Sequence, residues 1–232
     1  MNFAGVNFSI HREGFRFIGI GVALAVISSI ISSTLMWFFI LLSVFVAFFF
    51  RNPKRGIPDG DELIVSPSDG TVTAINLEEP PVELGLGSEK RYRVSVFLSV
   101  LNVHVNRTPA SGKIKQIIYQ PGSFLNAALD KASVFNEKNT IIMETNGDQN
   151  NLIAFTQIAG MIARRIVCDV HEGQEIKKGD IFGLIRFGSR CDVWLPVGVA
   201  PIVFKGQTMI GGETVIADTA RKDGQPRTGE IN

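Results

Sequence analysis

The stretch Gly183-Leu184-Ile185-Arg186-Phe187-Gly188-Ser189-Arg190-Cys191-Asp192-Val193-Trp194-Leu195-Pro196 sets two alternating apolar runs around one Gly-Ser pair. Glycine tolerates backbone angles that other residues avoid, so the pair reads as a point where a strand turns back. The Ser189 hydroxyl is then poised beside the Gly188 carbonyl. In a strained turn Ser189 Oγ can attack that carbonyl and exchange the amide for an ester. β-Elimination of the ester leaves dehydroalanine, which tautomerises and loses ammonia to give a pyruvoyl group at a new N-terminus. An ordinary hairpin turn is the commoner meaning of a Gly-Ser pair, and the rest of the chain has to decide between the two.

Length and composition narrow the field. The 232 residues, 45% of them hydrophobic, allow one sizeable folded domain and something more. A formal charge of +1 gives no nucleic-acid footprint. The two cysteines, Cys168 and Cys191, are too few for a disulfide framework. The three histidines, His11, His104 and His171, lie far apart, and with no CxxC or His/Cys cluster no metal is expected.

The additional part is N-terminal. No charged residue occurs from Phe17 to Phe50, and two apolar runs meet at Ser32-Ser33. One membrane-spanning helix needs roughly 20 residues, so this run is too long for one and just enough for two short helices. His11, Arg12 and Arg16 precede it, and Arg51, Lys54 and Arg55 follow. The positive-inside rule puts both flanks in the cytoplasm. The expectation is a hydrophobic helical hairpin over residues 1–52 that anchors the chain to the cell membrane, either crossing it or dipping into it, with the remaining domain on the cytoplasmic side. A cleaved signal peptide fits poorly, because the run is too long and no small-x-small site precedes Arg51.

Arg51-Asn52-Pro53-Lys54-Arg55-Gly56-Ile57-Pro58 cannot continue a helix, so a second domain is expected over 53–232. It opens with two β-rich runs joined by Ser66-Pro67-Ser68-Asp69-Gly70, which would place Asp69 at a hairpin corner. The run Tyr92 to Pro109 is β-branched and aromatic, and His104 stands near its end among Asn102, Asn106 and Arg107. An imidazole there can act as general acid or base near neutral pH, although a structural histidine is as ordinary a reading. Phe124 to Ala132 suggests a short helix, and Thr140–Thr145 with Asn151–Ile158 a hairpin. Glycines spaced between isolated apolar positions around Gly173, Gly179 and Gly183 describe short strands turning about a small barrel. The expected fold is mainly β (α+β): a barrel-sandwich-like β domain with few short helices, preceded by the N-terminal hydrophobic helical hairpin.

Four motifs occur in one order: Ser66-Pro67-Ser68-Asp69-Gly70, His104 to Pro109, Glu172-Gly173-Gln174-Glu175-Ile176-Lys177-Lys178-Gly179-Asp180, and Phe187-Gly188-Ser189. In order and spacing they resemble phosphatidylserine decarboxylase, in its short bacterial form, over essentially the whole second domain. The resemblance implies self-cleavage between Gly188 and Ser189 into a large chain (1–188) and a small chain (189–232), with Ser189 the source of a pyruvoyl cofactor. It implies that Asp69 works with a histidine to activate the serine, and that the substrate is phosphatidylserine in the bilayer, converted to phosphatidylethanolamine. Longer members carry His-x-x-His-x-Pro. Here only His104 keeps its place and Arg107 stands where the second histidine would be, which leaves open the base in self-cleavage. Arg190 also departs from the small polar residue that follows the serine in many longer members. Homo-oligomerisation is left open.

A reading from another class is a biotinyl- or lipoyl-like carrier or a membrane-fusion adaptor, because the glycine-spaced pattern suits such barrels and Asp130-Lys131-Ala132 is the tripeptide that carries lipoate in them. Lys131 falls, however, in a helix-like stretch and not at a hairpin tip. That reading also leaves Gly188-Ser189 and His104 without a role.

Overall fold

The computed structural model describes residues 2–3, 6–122, 136–146, 152–160, 165–186, 189–221 and 225–229. The expected helix at Phe124–Ala132, with Lys131, lies outside the described residues, as does Gly188. Contacts divide the chain into two units: Met1–Lys54 with Val103–Val105, and Arg55–Asn102 with Asn106–Asn232.

The first unit holds the strands β1 (Asn2–Phe3) and β2 (Val6–Ile10), the helices α1 (Arg12–Ser29) and α2 (Ser33–Phe49), and β3 (Arg51–Pro53). β2 pairs with β1 and with β3. His11 caps α1, its Nδ1 accepting from the Glu13 amide, while Ser32 takes the N-cap position of α2 in an extended conformation. The helices touch where α1 has glycine: a Cβ on Gly21 would stand 2.2 Å from Ser43 Oγ. No described helix is long and apolar enough to cross a membrane. α1 carries Arg12, Glu13 and Arg16 toward its start, and α2 has 17 residues.

The second unit is built of strands, and the protein as described is mainly β with two α-helices. In chain order they are β4 (Leu63–Val65), β5 (Gly70–Glu78), β6 (Arg91–Leu98), β7 (Val105–Arg107, which begins in the first unit), β8 (Gly112–Gln120), β9 (Lys138–Thr145), β10 (Leu152–Ala159), β11 (Ile166–Cys168), β12 (Glu175–Ile176), β13 (Ile181–Ile185), β14 (Ser189–Trp194), β15 (Thr208–Met209) and β16 (Val215–Asp218). Eight of them form one sheet in the order β12-β8-β9-β10-β14-β6-β5-β15. Among the described residues its two ends, β12 and β15, do not join, and the barrel-like expectation is met in the coarser form of a sheet curled into a half-barrel. β11, β13 and β7 make a second sheet, and β16 and β4 a third.

Alternation explains which face of the large sheet is covered. Val94, Val96 and Leu98 of β6, Cys191 and Val193 of β14, Ile153 and Phe155 of β10, and Ile141 and Met143 of β9 point to one side and are buried. Most of them share a core with Ile64, Phe182 and Ile216 from the smaller sheets.

Among the described residues two expected hairpin pairings are not formed. Ser66–Asp69 does not join paired strands, because β4 pairs with β16 and β5 with β6. The backbone of that turn is taken up elsewhere: Pro67 O accepts from Arg107 N, and Ser66 bonds through N to Thr214 O and through O from Gly212 N. Likewise β13 and β14 do not pair across Gly188-Ser189, since β13 pairs with β11 while β14 is held between β10 and β6. The expected hairpin β9–β10 is present, in register from Lys138↔Ile158 to Glu144↔Leu152.

Candidate active site

Ser189 is the first residue of β14 and pairs with Ala159 on one side and Leu98 on the other. It shares a face with Cys191 and Val193, so it stands where the strand's alternation calls for an apolar side chain. The result is a hydroxyl with no exposed surface beside a small apolar cluster of Leu98, Ala159, Ile185 and Cys191. Its Oγ has no hydrogen-bond partner among the described residues. A buried hydroxyl left unpaired costs about 1–3 kcal/mol, and such a group is also one that no competing acceptor holds away from a carbonyl. Cys191, the nearest thiol along the strand, is no rival nucleophile. Burial pushes its pKa up to about 12 against the opposing effect of the Ser68 hydroxyl, with Asp192 adding to the rise.

Asp69 sits immediately before β5. Thr71 lies opposite Phe97 on one side of β6, and Ser189 opposite Leu98 on the other. The aspartate and the serine are thus at the same end of strands separated only by β6, about 10 Å apart across two strand spacings. Gly70 makes the turn into β5 feasible. Its φ is +145°, and a Cβ there would lie 2.1 Å from Phe97 O. The Asp69 carboxylate is held by Arg55, whose Nη2 is 2.8 Å from both oxygens, and by Gly211 N, which donates to Oδ1 at 2.8 Å. Arg107 lies in the same neighbourhood. Burial lowers its pKa and the Arg55 charge lowers it further, opposed by Asp69, Asp180 and Glu213. Its Nη1 donates to Gly179 O.

His104 belongs to the first unit, fully buried, with its ring centroid 4.2 Å from that of Phe49 at the end of α2. Phe49 in turn meets Phe50 edge to face at 5.1 Å. His171 is exposed in the turn before β12 and joins neither group. Among the described residues no cluster of His, Cys, Asp and Glu could hold a metal ion.

Two polar side chains on the covered face, Asn139 and Gln157, were not singled out from the sequence. Asn139 Nδ2 donates to Gln157 Oε1, and Gln157 Nε2 donates to Asn106 Oδ1, at 3.1 and 2.9 Å. The chain ends on Asn106 Nδ2, buried and without a partner among the described residues. The signal was present: Gln157 is in phase with Ile153 and Phe155, and Asn139 with Ile141 and Met143, so two amides occupy core positions at the Ser189 end of the sheet. A polar residue in phase with a buried set must find a partner or serve a purpose.

The opposite face of β14 carries charge. Arg190 Nε and Nη2 donate to Asp192 Oδ1 and Oδ2, each at 2.6 Å. Arg93 Nη1 of β6 donates to Asp192 Oδ2 at 2.9 Å, and Arg93 Nε to Glu78 Oε1 of β5 at 2.5 Å. Burial acts to raise the Asp192 pKa, but Arg190 and Arg93 hold it below the ordinary value. Burial likewise acts to lower that of Arg93, which Asp192 and Glu78 nonetheless raise. Arg93, Asp192 and Glu78 line a cavity of about 600 Å3 with Thr140, Thr156 and Trp194.

A family model described as phosphatidylserine decarboxylase matches residues 42–217. Proteins named phosphatidylserine decarboxylase proenzyme from Rickettsia felis and Rickettsia bellii are each 51% identical to this chain over 213 residues, spanning 92% of it and 91% of the relative. The protein of that name from Rickettsia typhi is 50% identical over the same spans. The matched region runs from α2 through the Asp69 turn, His104 and Ser189 to β16, and on these grounds the chain belongs to the phosphatidylserine decarboxylase family.

Proposed function

We propose that this protein is a self-processing enzyme that decarboxylates phosphatidylserine to phosphatidylethanolamine, using a pyruvoyl group made from its own Ser189. The observation that carries this reading is Ser189: a hydroxyl in apolar surroundings, without a partner among the described residues, directly after Gly188 in a chain of this family. The carrier or adaptor reading has no such support, and its Lys131 lies outside the described residues.

In processing, Ser189 Oγ forms a bond to the Gly188 carbonyl carbon, and the peptide C–N bond breaks to give an ester. Loss of the Ser189 α proton to a base then breaks the Cβ–Oγ bond, releasing Gly188 as a carboxylate. The dehydroalanine left behind tautomerises, and water displaces ammonia. Asp69, fixed by Arg55 and the Gly211 amide, is the carboxylate assigned to orienting the base. His104 is the acid–base group, since an imidazole changes charge near neutral pH.

The site fits the cofactor. A small neutral keto group suits the apolar surroundings of Leu98, Ala159 and Ile185. When formed, the pyruvoyl group supplies a ketone that condenses with the substrate amine and accepts the electrons released with carbon dioxide. The chain's own part in that reaction is to hold β14 in the sheet on both sides and to return a proton from His104 to the substrate carbon.

The substrate's acyl tails lie in a bilayer, and α1 and α2 carry many of the exposed large apolar side chains, among them Ile20, Ile27, Trp37, Phe38 and Leu41. This supports a membrane-seated first unit, with Arg12, Arg16, Arg51 and Lys54 keeping both ends on the cytoplasmic side.

Denaturing electrophoresis with intact mass tests the reading. Active protein should contain two chains, 1–188 and a modified 189–232, and Ser189→Ala should remain one inactive chain. An unbroken chain in an active preparation would refute it.

A further inference from the structure

We propose that Arg190 is a positioning residue that keeps the start of the small chain in the sheet after the Gly188–Ser189 bond is cut. The inference rests on the reading of Ser189 given above and concerns what happens to β14 once it becomes a chain end.

Before cleavage, residue 189 is held by the peptide bond behind it as well as by the ladder. Afterwards its nitrogen is gone, and Arg190 is the first residue of the small chain with an intact backbone N–H. A strand that begins at a free end frays, because only ladder bonds hold it there. Here that fraying would displace the reactive group itself. β14 is central in the sheet, so its neighbours β10 and β6 can hold it if the first residues are anchored.

Arg190 supplies the anchor on the face turned away from Ser189. Its side chain is 2% exposed and its fork meets both oxygens of Asp192. A bond from residue 190 to residue 192 would by itself only stiffen the strand. Asp192 is also bonded to Arg93 on β6, and Arg93 to Glu78 on β5, so the fork ties position 190 across three strands. Two cations alternate with two anions, so the set is internally neutral. A planar guanidinium with two parallel bonds fixes direction as well as position, which an ammonium or an apolar side chain at 190 would not. Direction matters here, because residue 190 aims the group on residue 189.

The test compares cut and uncut protein by hydrogen exchange and kinetics. Arg190→Met and Arg190→Lys are made in the full chain and again on the uncleavable Ser189→Ala chain. Arg190→Met should speed exchange of amides 190–194 in the cleaved protein by a factor at least about tenfold larger than the factor by which the same change speeds it on the Ser189→Ala chain, where the loss of the fork only lowers global stability. For a water-dispersed short-chain phosphatidylserine, kcat should fall at least about tenfold with KM within about twofold. Arg190→Lys keeps the charge without the fork and should fall between the two. Should Arg190→Met not fold, Arg190→Lys with wild-type exchange and kcat overturns the proposal by itself. Equal loss of protection in cut and uncut chains also overturns it, because the cluster then only stabilises the fold. A wild-type chain recovered uncut would bring down the Ser189 reading, and this inference with it. A cut wild type indifferent to residue 190 would bring down this inference alone.

Discussion

Asp192→Asn is a close test of the charged cluster, because it removes a charge while keeping the shape of the side chain. Asp192 accepts three bonds from two arginines at 2.6, 2.6 and 2.9 Å, and the side chains of Arg190, Asp192 and Arg93 are 2%, 3% and 8% exposed. After the substitution the two buried guanidinium groups lose the carboxylate that they share. Breaking a buried pair in this way costs about 3–5 kcal/mol. For a domain of this size each kcal/mol moves Tm by about 2–4 °C, giving a drop of about 6–20 °C. The assay is differential scanning calorimetry of Asp192→Asn on the Ser189→Ala chain, so that cleavage does not complicate the melt. The pH dependence has a definite sign. The folded pKa of Asp192 is depressed, so its contribution is present above the unfolded value and is lost as pH falls through the folded one. The gap between parent and variant should therefore be full at pH 7, persist to pH 5, and shrink only below about pH 4. A shift under about 2 °C at pH 7, or a gap that closes between pH 7 and pH 5, would refute the reasoning.

The β character of the second unit and the β9–β10 hairpin are legible in the sequence because they depend on local alternation and turn chemistry. The partners of the other strands are not. Ser66–Asp69 and Gly188-Ser189 have the composition of hairpin turns, yet each links strands in different sheets, since the pairing of β5 with β6 and of β14 with β10 is settled by burial of faces far apart in the chain. Ser189 and Asp69 stand out through the order of the motifs. That Arg55 holds Asp69 could not be read, because the pair joins residues on either side of an irregular segment whose path no periodicity reveals. Arg190 appears in the sequence only as a departure from a pattern. Its meaning depends on Asp192 two residues along the same face and on Arg93 one strand away, which requires knowledge of the register.

Two further outcomes bear on processing and turnover. Gly70→Ala would place a Cβ 2.1 Å from Phe97 O at a φ of +145°, so the Asp69 turn has to move. A loss of at least about 2 kcal/mol in urea unfolding, with slower self-cleavage, is expected. Phe49→Ala acts from the first unit. Phe49 has no exposed surface and its ring packs at 4.2 Å against that of His104, which is also fully buried. Truncating a buried phenylalanine costs about 3–5 kcal/mol when its site does not collapse. Here the vacated space borders the imidazole assigned to acid–base work, so the ring gains freedom to turn away from its working orientation. Self-cleavage followed by mass and turnover of a water-dispersed substrate should both slow, each by at least about tenfold, whereas Phe49→Leu, which keeps most of the volume, should lose much less. Wild-type rates in Phe49→Ala would show that α2 contributes nothing to holding His104 in a working orientation.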